Sequence, residues 1–110
     1  MNRVILQSPF ATPDPIRMET NMRYARAAML DSIGRGESPF MAHLLFTQVL
    51  DDIAVGQREQ IFELAFSWYE QADSVAVYTD LGISAGMERG IAHAKSLGLE
   101  VDERTVPDWK

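Results

Sequence analysis

The sequence predicts an α/β domain spanning residues 1–110, with a mostly parallel four-stranded sheet lying between two layers of helix. Three observations carry this. Short apolar runs and amphipathic stretches alternate in the order β-α-β-α-β-α-β, which implies right-handed crossovers and helices on both faces. Arg3–Gln7 and Val75–Val77 are short, apolar and partly β-branched, as central strands buried on both faces require. The stretch Tyr78–Val101 passes from a strand end through a glycine turn into a helix and out to another strand.

Arg3–Gln7 is read as the central first strand. Ser8–Pro15 follows with three prolines and small polar residues, and reads as a loop. A helix is expected from Met18 or Asn21 to Ile33, with Met22, Ala25, Met29 and Ile33 along one face and Gly34 and Gly36 ending it. Ser38–His43 reads as a second short strand, with Pro39 suited to its start. Leu44–Leu50 reads as a helical turn and Asp51–Gly56 as a loop.

Gln57–Ala72 carries the strongest helical signal. Ile61, Leu64, Ala65 and Trp68 form one stripe, and Phe62, Phe66 and Tyr69 a second beside it. So wide an apolar arc fits either a helix packed between the sheet and neighbouring elements or a subunit interface; the interface is favoured, because a small domain has little chain left to cover a second face. A homo-oligomer through residues 57–72 is therefore expected. Ser74–Tyr78 is the third strand. Ser84 stands where an N-cap belongs, Met87, Ile91 and Ala94 line one helical face, and Gly98 closes the helix. Leu99–Thr105 alternates as an edge strand does, and Trp109 is expected to dock on the body or on a partner chain.

Composition narrows the function. There is no cysteine, which removes disulfides, thiolate metal sites and cysteine nucleophiles. Two histidines argue against a His-rich metal site. Neither a metal nor a cofactor is expected. A net charge of −6 disfavours general nucleic-acid binding. No apolar run approaches the ~20 residues of a membrane span, and no signal peptide precedes the first strand. A cytoplasmic protein with no membrane partner is the expectation.

In an open parallel sheet, ligands sit outside the carboxyl ends of the strands. The loop Ser8–Pro9–Phe10 and the helix start Ser84–Gly86–Met87 leave that edge, and the free N–H groups of a helix start favour phosphate or hydroxyl oxygens. Phe10 either stacks on a flat ligand or plugs the core. Asn21 either caps its helix or reaches a ligand. His43 falls at the carboxyl end of the predicted second strand, and Asp80 at that of the third. Glu88 lies in the first turn of the following helix, as a candidate base or as a solvated acid favoured by the dipole. Asp51 and Asp52 are further acids on a loop that can reach the site.

Together, the first strand ending in Ser8-Pro9-Phe10, Asn21 in the next helix, and Ser84-Ala85-Gly86-Met87 before a helix resemble the nucleoside 2-deoxyribosyltransferase-like superfamily. The chain is similar to its small members in bacteria and their phages, over roughly Val4 to Val101. The resemblance implies a flavodoxin-like or Rossmann-like fold and a nucleoside or nucleotide pocket. It also implies exchange or cleavage of an N-glycosidic bond by a glutamate nucleophile, and oligomers with composite sites. In the family pattern Ser-x-Gly-Ala-x-x-Glu, Ser84 and Gly86 match and Met87 takes the alanine place. The glutamate position falls on Gly90, and glycine has no side chain to attack a sugar carbon.

The first expectation is therefore a nucleoside- or nucleotide-binding protein, with sequestration of a nucleotide signal as an extension. The second is an N-glycosidic enzyme using Asp80 or Glu88 as nucleophile or base and His43 as acid or base. The third is an oligomeric interaction protein.

Overall fold

The computed structural model describes residues 1–109. Four strands, β1 (Arg3–Gln7), β2 (Ser38–Phe40), β3 (Ser74–Tyr78) and β4 (Glu100–Arg104), form one parallel sheet in the order β2-β1-β3-β4. Ile5 lies opposite Phe40 on one side and Val75 on the other. The two apolar strands are thus central, and the charged β4 and the proline-bearing β2 form the edges, where a missing ladder donor or a solvated side chain is tolerated.

Alternation along the strands builds two cores. Val4, Leu6, Ala76 and Tyr78 pack on one face against Tyr24, Ala25 and Ala28 of α1 (Pro15–Gly34). Ile5, Val75 and Val77 pack on the other against Tyr69 of α3 (Val55–Tyr69) and Met87 and Ala94 of α4 (Ala85–Ser96). A three-layer α/β sandwich results, as the alternation of elements predicts. No helix among the described residues is long and apolar enough to cross a membrane.

Several boundaries differ from expectation. The first helix begins at Pro15, not at Met18 or Asn21, because Asp14 is its N-cap and accepts from the Ile16 amide at 3.0 Å. Proline at the first helical position loses no hydrogen bond, since that N–H has no partner in any helix. Asn21 therefore sits in the second turn and caps nothing. The second strand stops at Phe40, and Ala42–Leu45 form a short helix, α2, continued by a 3-10 turn over Phe46–Gln48. His43 accordingly lies on a helix, not at a strand end. The third helix begins at Val55 and takes in Gly56. Its buried stripe is Ile61, Ala65 and Tyr69, while Leu64 and Trp68 face outward, Trp68 stacked on Phe40 at 5.1 Å.

Beyond β4, Trp109 docks on the body. Its ring meets Tyr24 edge-on at 4.8 Å, with the Arg23 guanidinium 4.5 Å from its centre.

Candidate functional site

The sheet order places β1 between β2 and β3, and the crossovers from β1 and from β3 leave on opposite faces. A crevice opens at such a switch point beyond the carboxyl ends of the strands. Here it is a cavity of about 330 Å³ on the α3/α4 face. Its floor is the end of β1, Ile5 to Gln7, and the loop Ser8–Ala11 forms one wall. The start of α4, Ser84 to Met87 together with Gly90, forms the opposite wall. Ile61, Phe62, Ala65, Phe66 and Tyr69 of α3 form its roof, and His43, Asp52 and Arg58 stand at its margin. The lining is mostly apolar and aromatic with a few polar groups, the usual make-up of a small-molecule site.

Local sequence explains each wall. Gly82 has φ +88 and its amide bonds the Thr79 carbonyl at 2.9 Å, so the turn after β3 needs a residue that accepts the left-handed region. Ser84 then caps α4: its hydroxyl accepts from the Met87 amide at 3.2 Å, while the Ser84 amide points at the Met87 sulfur at 3.4 Å. Such a cap contributes about 1 kcal/mol. At Gly86, a Cβ would stand 3.1 Å from Arg58 Nη2, so the missing side chain lets the guanidinium lie against the first turn of α4. Arg58 is further held by the Asp52 carbonyl at 3.3 Å and lies 5.3 Å from the Phe62 ring centre.

Position 90 is the tightest point. A Cβ there would lie 2.3 Å from Gln7 Nε2 and 2.8 Å from the Tyr69 hydroxyl. Those two side chains bond each other, Gln7 Nε2 donating to Tyr69 Oη at 2.8 Å. They hold the space into which a side chain at 90 would project. Burial pushes Tyr69 up to about 12, so it is a neutral hydroxyl near pH 7.

The two margin groups are also perturbed. Ser8 Oγ and His43 Nε2 are 3.0 Å apart, and the Phe10 ring tilts over the imidazole at 4.9 Å. Burial lowers the His43 pKa to about 4, so the ring is neutral and suited to accept or donate a single hydrogen bond. Burial raises the Asp52 pKa, against the pull of Arg58.

The structure thus brings Ser8, Pro9, Phe10, His43, Ser84, Gly86 and Met87 to one cavity. It does not bring Asp80, Glu88 or Asn21 there. Asp80 faces the α1 side, where its carboxylate accepts from the Tyr24 hydroxyl at 2.6 Å and the Val106 amide at 2.7 Å. Asp80 lies in the turn beyond the end of β3, and its bonds to Tyr24 and Val106 hold it on that face. Glu88 is exposed on the outer side of α4, about 200° around the helix from Gly90. Asn21 donates from Nδ2 to the Phe10 carbonyl at 3.0 Å and so fixes the β1 loop from behind. Gln7, Arg58 and Tyr69 are cavity residues that motif reading missed. A glutamine at the end of an otherwise apolar central strand was the available signal. No group of three or more His, Asp or Glu among the described residues is placed to hold a metal ion.

Residues 2–104 match the family described as Domain of unknown function DUF7768. The chain belongs to that family. In three dimensions it is similar to a 2-deoxyribosyltransferase from the psychrotolerant bacterium Bacillus psychrosaccharolyticus, with a TM-score of 0.69 and 15% identity. That similarity covers 98% of this chain and 75% of the other. The relative is described as a biocatalyst for nucleoside synthesis. At this identity the likeness shows a shared fold, the one the sequence motifs imply. No curated protein matches the chain in sequence.

Proposed function

We propose that the cavity binds a nucleoside or nucleotide and that the chain works as a binding protein, without the glutamate chemistry that the sequence resemblance implies. One observation carries this reading: aromatic walls and a guanidinium at a helix start line the same cavity. Phe10, Phe62 and Phe66 offer flat apolar surface to a base. Arg58, against the first turn of α4, offers positive charge to a phosphate. Gln7 and Tyr69 occupy the place where a carboxylate at 90 would act. Capture of a nucleotide signal is the natural role for such a protein. Isothermal titration against nucleosides and their mono- and diphosphates tests it. Saturable binding is expected, weakened at least tenfold in Arg58→Ala for the phosphorylated forms. Absence of heat with every member of the panel at millimolar concentration would refute it.

A second reading is favoured by Asp52. Its carboxyl is buried at the cavity margin with a raised pKa, a combination common in catalytic acids. In that reading Asp52 and His43 serve cleavage of an N-glycosidic bond. Base release from nucleoside monophosphates, followed by chromatography, separates the two readings, and turnover abolished in Asp52→Asn would establish the second.

A further inference from the structure

Gln7 is 6% exposed, and its amide oxygen is buried with no hydrogen-bond partner among the described residues. Leaving such an acceptor unpaired is costly, and native proteins keep few of them. The same amide donates from Nε2 to Tyr69 Oη. Because Tyr69 accepts in that bond, its own proton is left to donate. The tyrosine does not ionise near neutral pH, since burial pushes it up to about 12. Two residues that line the cavity thus hold one buried, unpaired acceptor and one unpaired donor.

We propose that Gln7 and Tyr69 form a hydroxyl-reading pair that selects ligands carrying a sugar hydroxyl over their deoxy counterparts. This rests on the nucleoside reading of the cavity. A carbonyl satisfies only the tyrosine, and an ammonium only the glutamine. A hydroxyl serves both, accepting from Tyr69 and donating to Gln7 through one atom. A site built to bond a hydroxyl rejects the analogue that lacks it, because its buried polar groups then stay unpaired.

The experiment is equilibrium binding of matched ligands: a ribonucleoside or ribonucleotide against its 2′-deoxy and 3′-deoxy forms. Wild-type protein is compared with Tyr69→Phe and Gln7→Leu. Tyr69→Phe keeps the ring that packs on Phe66 at 5.2 Å and on His93 at 5.4 Å, so its fold is retained even if Gln7→Leu folds poorly. Wild type is expected to prefer the ribo form to one deoxy form by at least tenfold. In Tyr69→Phe the ratio falls below twofold. Equal binding of all three forms by wild type would overturn the pair's role while leaving the nucleoside site standing. So would discrimination that survives both substitutions. Binding of no form at all would overturn the nucleoside reading, and this inference with it.

Discussion

The two faces of the sheet handle buried polar groups in opposite ways. On the α1 face every named one is paired. Tyr78 donates to Asp31 at 2.7 Å, and Arg104 makes a two-pronged bond to Glu37 at 2.7 Å on each arm. Tyr24 and the Val106 amide both close on Asp80. On the α3/α4 face, an equally buried tyrosine meets a glutamine whose oxygen is unmatched, beside an open cavity. Polar groups completed internally leave no bond for a ligand to make. An incomplete one is a site that binding finishes. The comparison supports placing the proposed site on the α3/α4 side of the sheet.

The largest expected effect attacks the completed face. Glu37→Ala leaves the Arg104 guanidinium, with its side chain 7% exposed, without its two-pronged partner. Removing one member of a buried ion pair costs about 3–5 kcal/mol; the remaining bond from Arg104 to Asp102 puts the expected loss near the lower bound. Urea unfolding measures it, and nucleotide affinity of the folded protein should stay within twofold. A comparable loss of affinity would show that the faces are not independent.

Acid titration separates the faces next. The His43 pKa is about 4 in the fold against 6.5 when free. Below pH 6.5 the unfolded chain takes up a proton that the folded chain refuses, so stability falls as pH drops from 6.5 to 4. The loss is about 2 kcal/mol, less than the full shift gives because the residue is only half-buried. Above 6.5 the residue contributes no slope. His43→Gln should flatten the stability curve in that window. On the α1 face, the Arg104 bonds hold Glu37 low, and Tyr78 and Arg35 hold Asp31 low against the effect of burial. Their contribution is present above the ordinary carboxylate range and is lost only as pH falls through their lowered values. An undiminished slope in His43→Gln between pH 6.5 and 4.5 would remove the cavity-side contribution.

Trp109→Ala should cost about 1 kcal/mol, since it removes one edge-on aromatic contact and one cation contact at a half-exposed site. Thermal unfolding reads this directly. Gly90→Ala should cost about 1 kcal/mol, toward the low end of overpacking, because its Cβ would meet Gln7 Nε2 at 2.3 Å and the Tyr69 hydroxyl at 2.8 Å while alanine favours the helix. Its effect on ligand affinity should nevertheless exceed tenfold. A substitution that costs little in folding and much in binding is what an incomplete face predicts.

Much of this architecture was legible in the residues. Apolar β1 and β3, the Ser84 cap and the alternating charges of β4 are local signals, and local signals survive into structure. The helix start at Pro15 was not legible, because proline reads as a breaker unless Asp14 is recognised as a cap. His43 was misassigned because three residues of strand and four of helix lie side by side, too short for periodicity to separate. The site was half legible. The residues leaving β1 and entering α4 are marked by turn chemistry. Gln7, Arg58 and Tyr69 meet only through the packing of α3 on the sheet, with 62 residues separating the bonded pair. Asp80 was sent to the wrong side because it lies in the turn beyond β3, where its direction is set by distant partners, Tyr24 and Val106.

The grip of Arg104 on Glu37 spans 67 positions of chain. During synthesis Glu37, in the turn between α1 and β2, must therefore wait for β4 before it finds the guanidinium that grips it. Until then, Ser32 is its side-chain partner, and the sheet has an open margin along β3 that any passing strand can occupy. Assembly of this domain is thus predicted to be late and all-or-none, with the arginine acting as the clasp that ends its exposure.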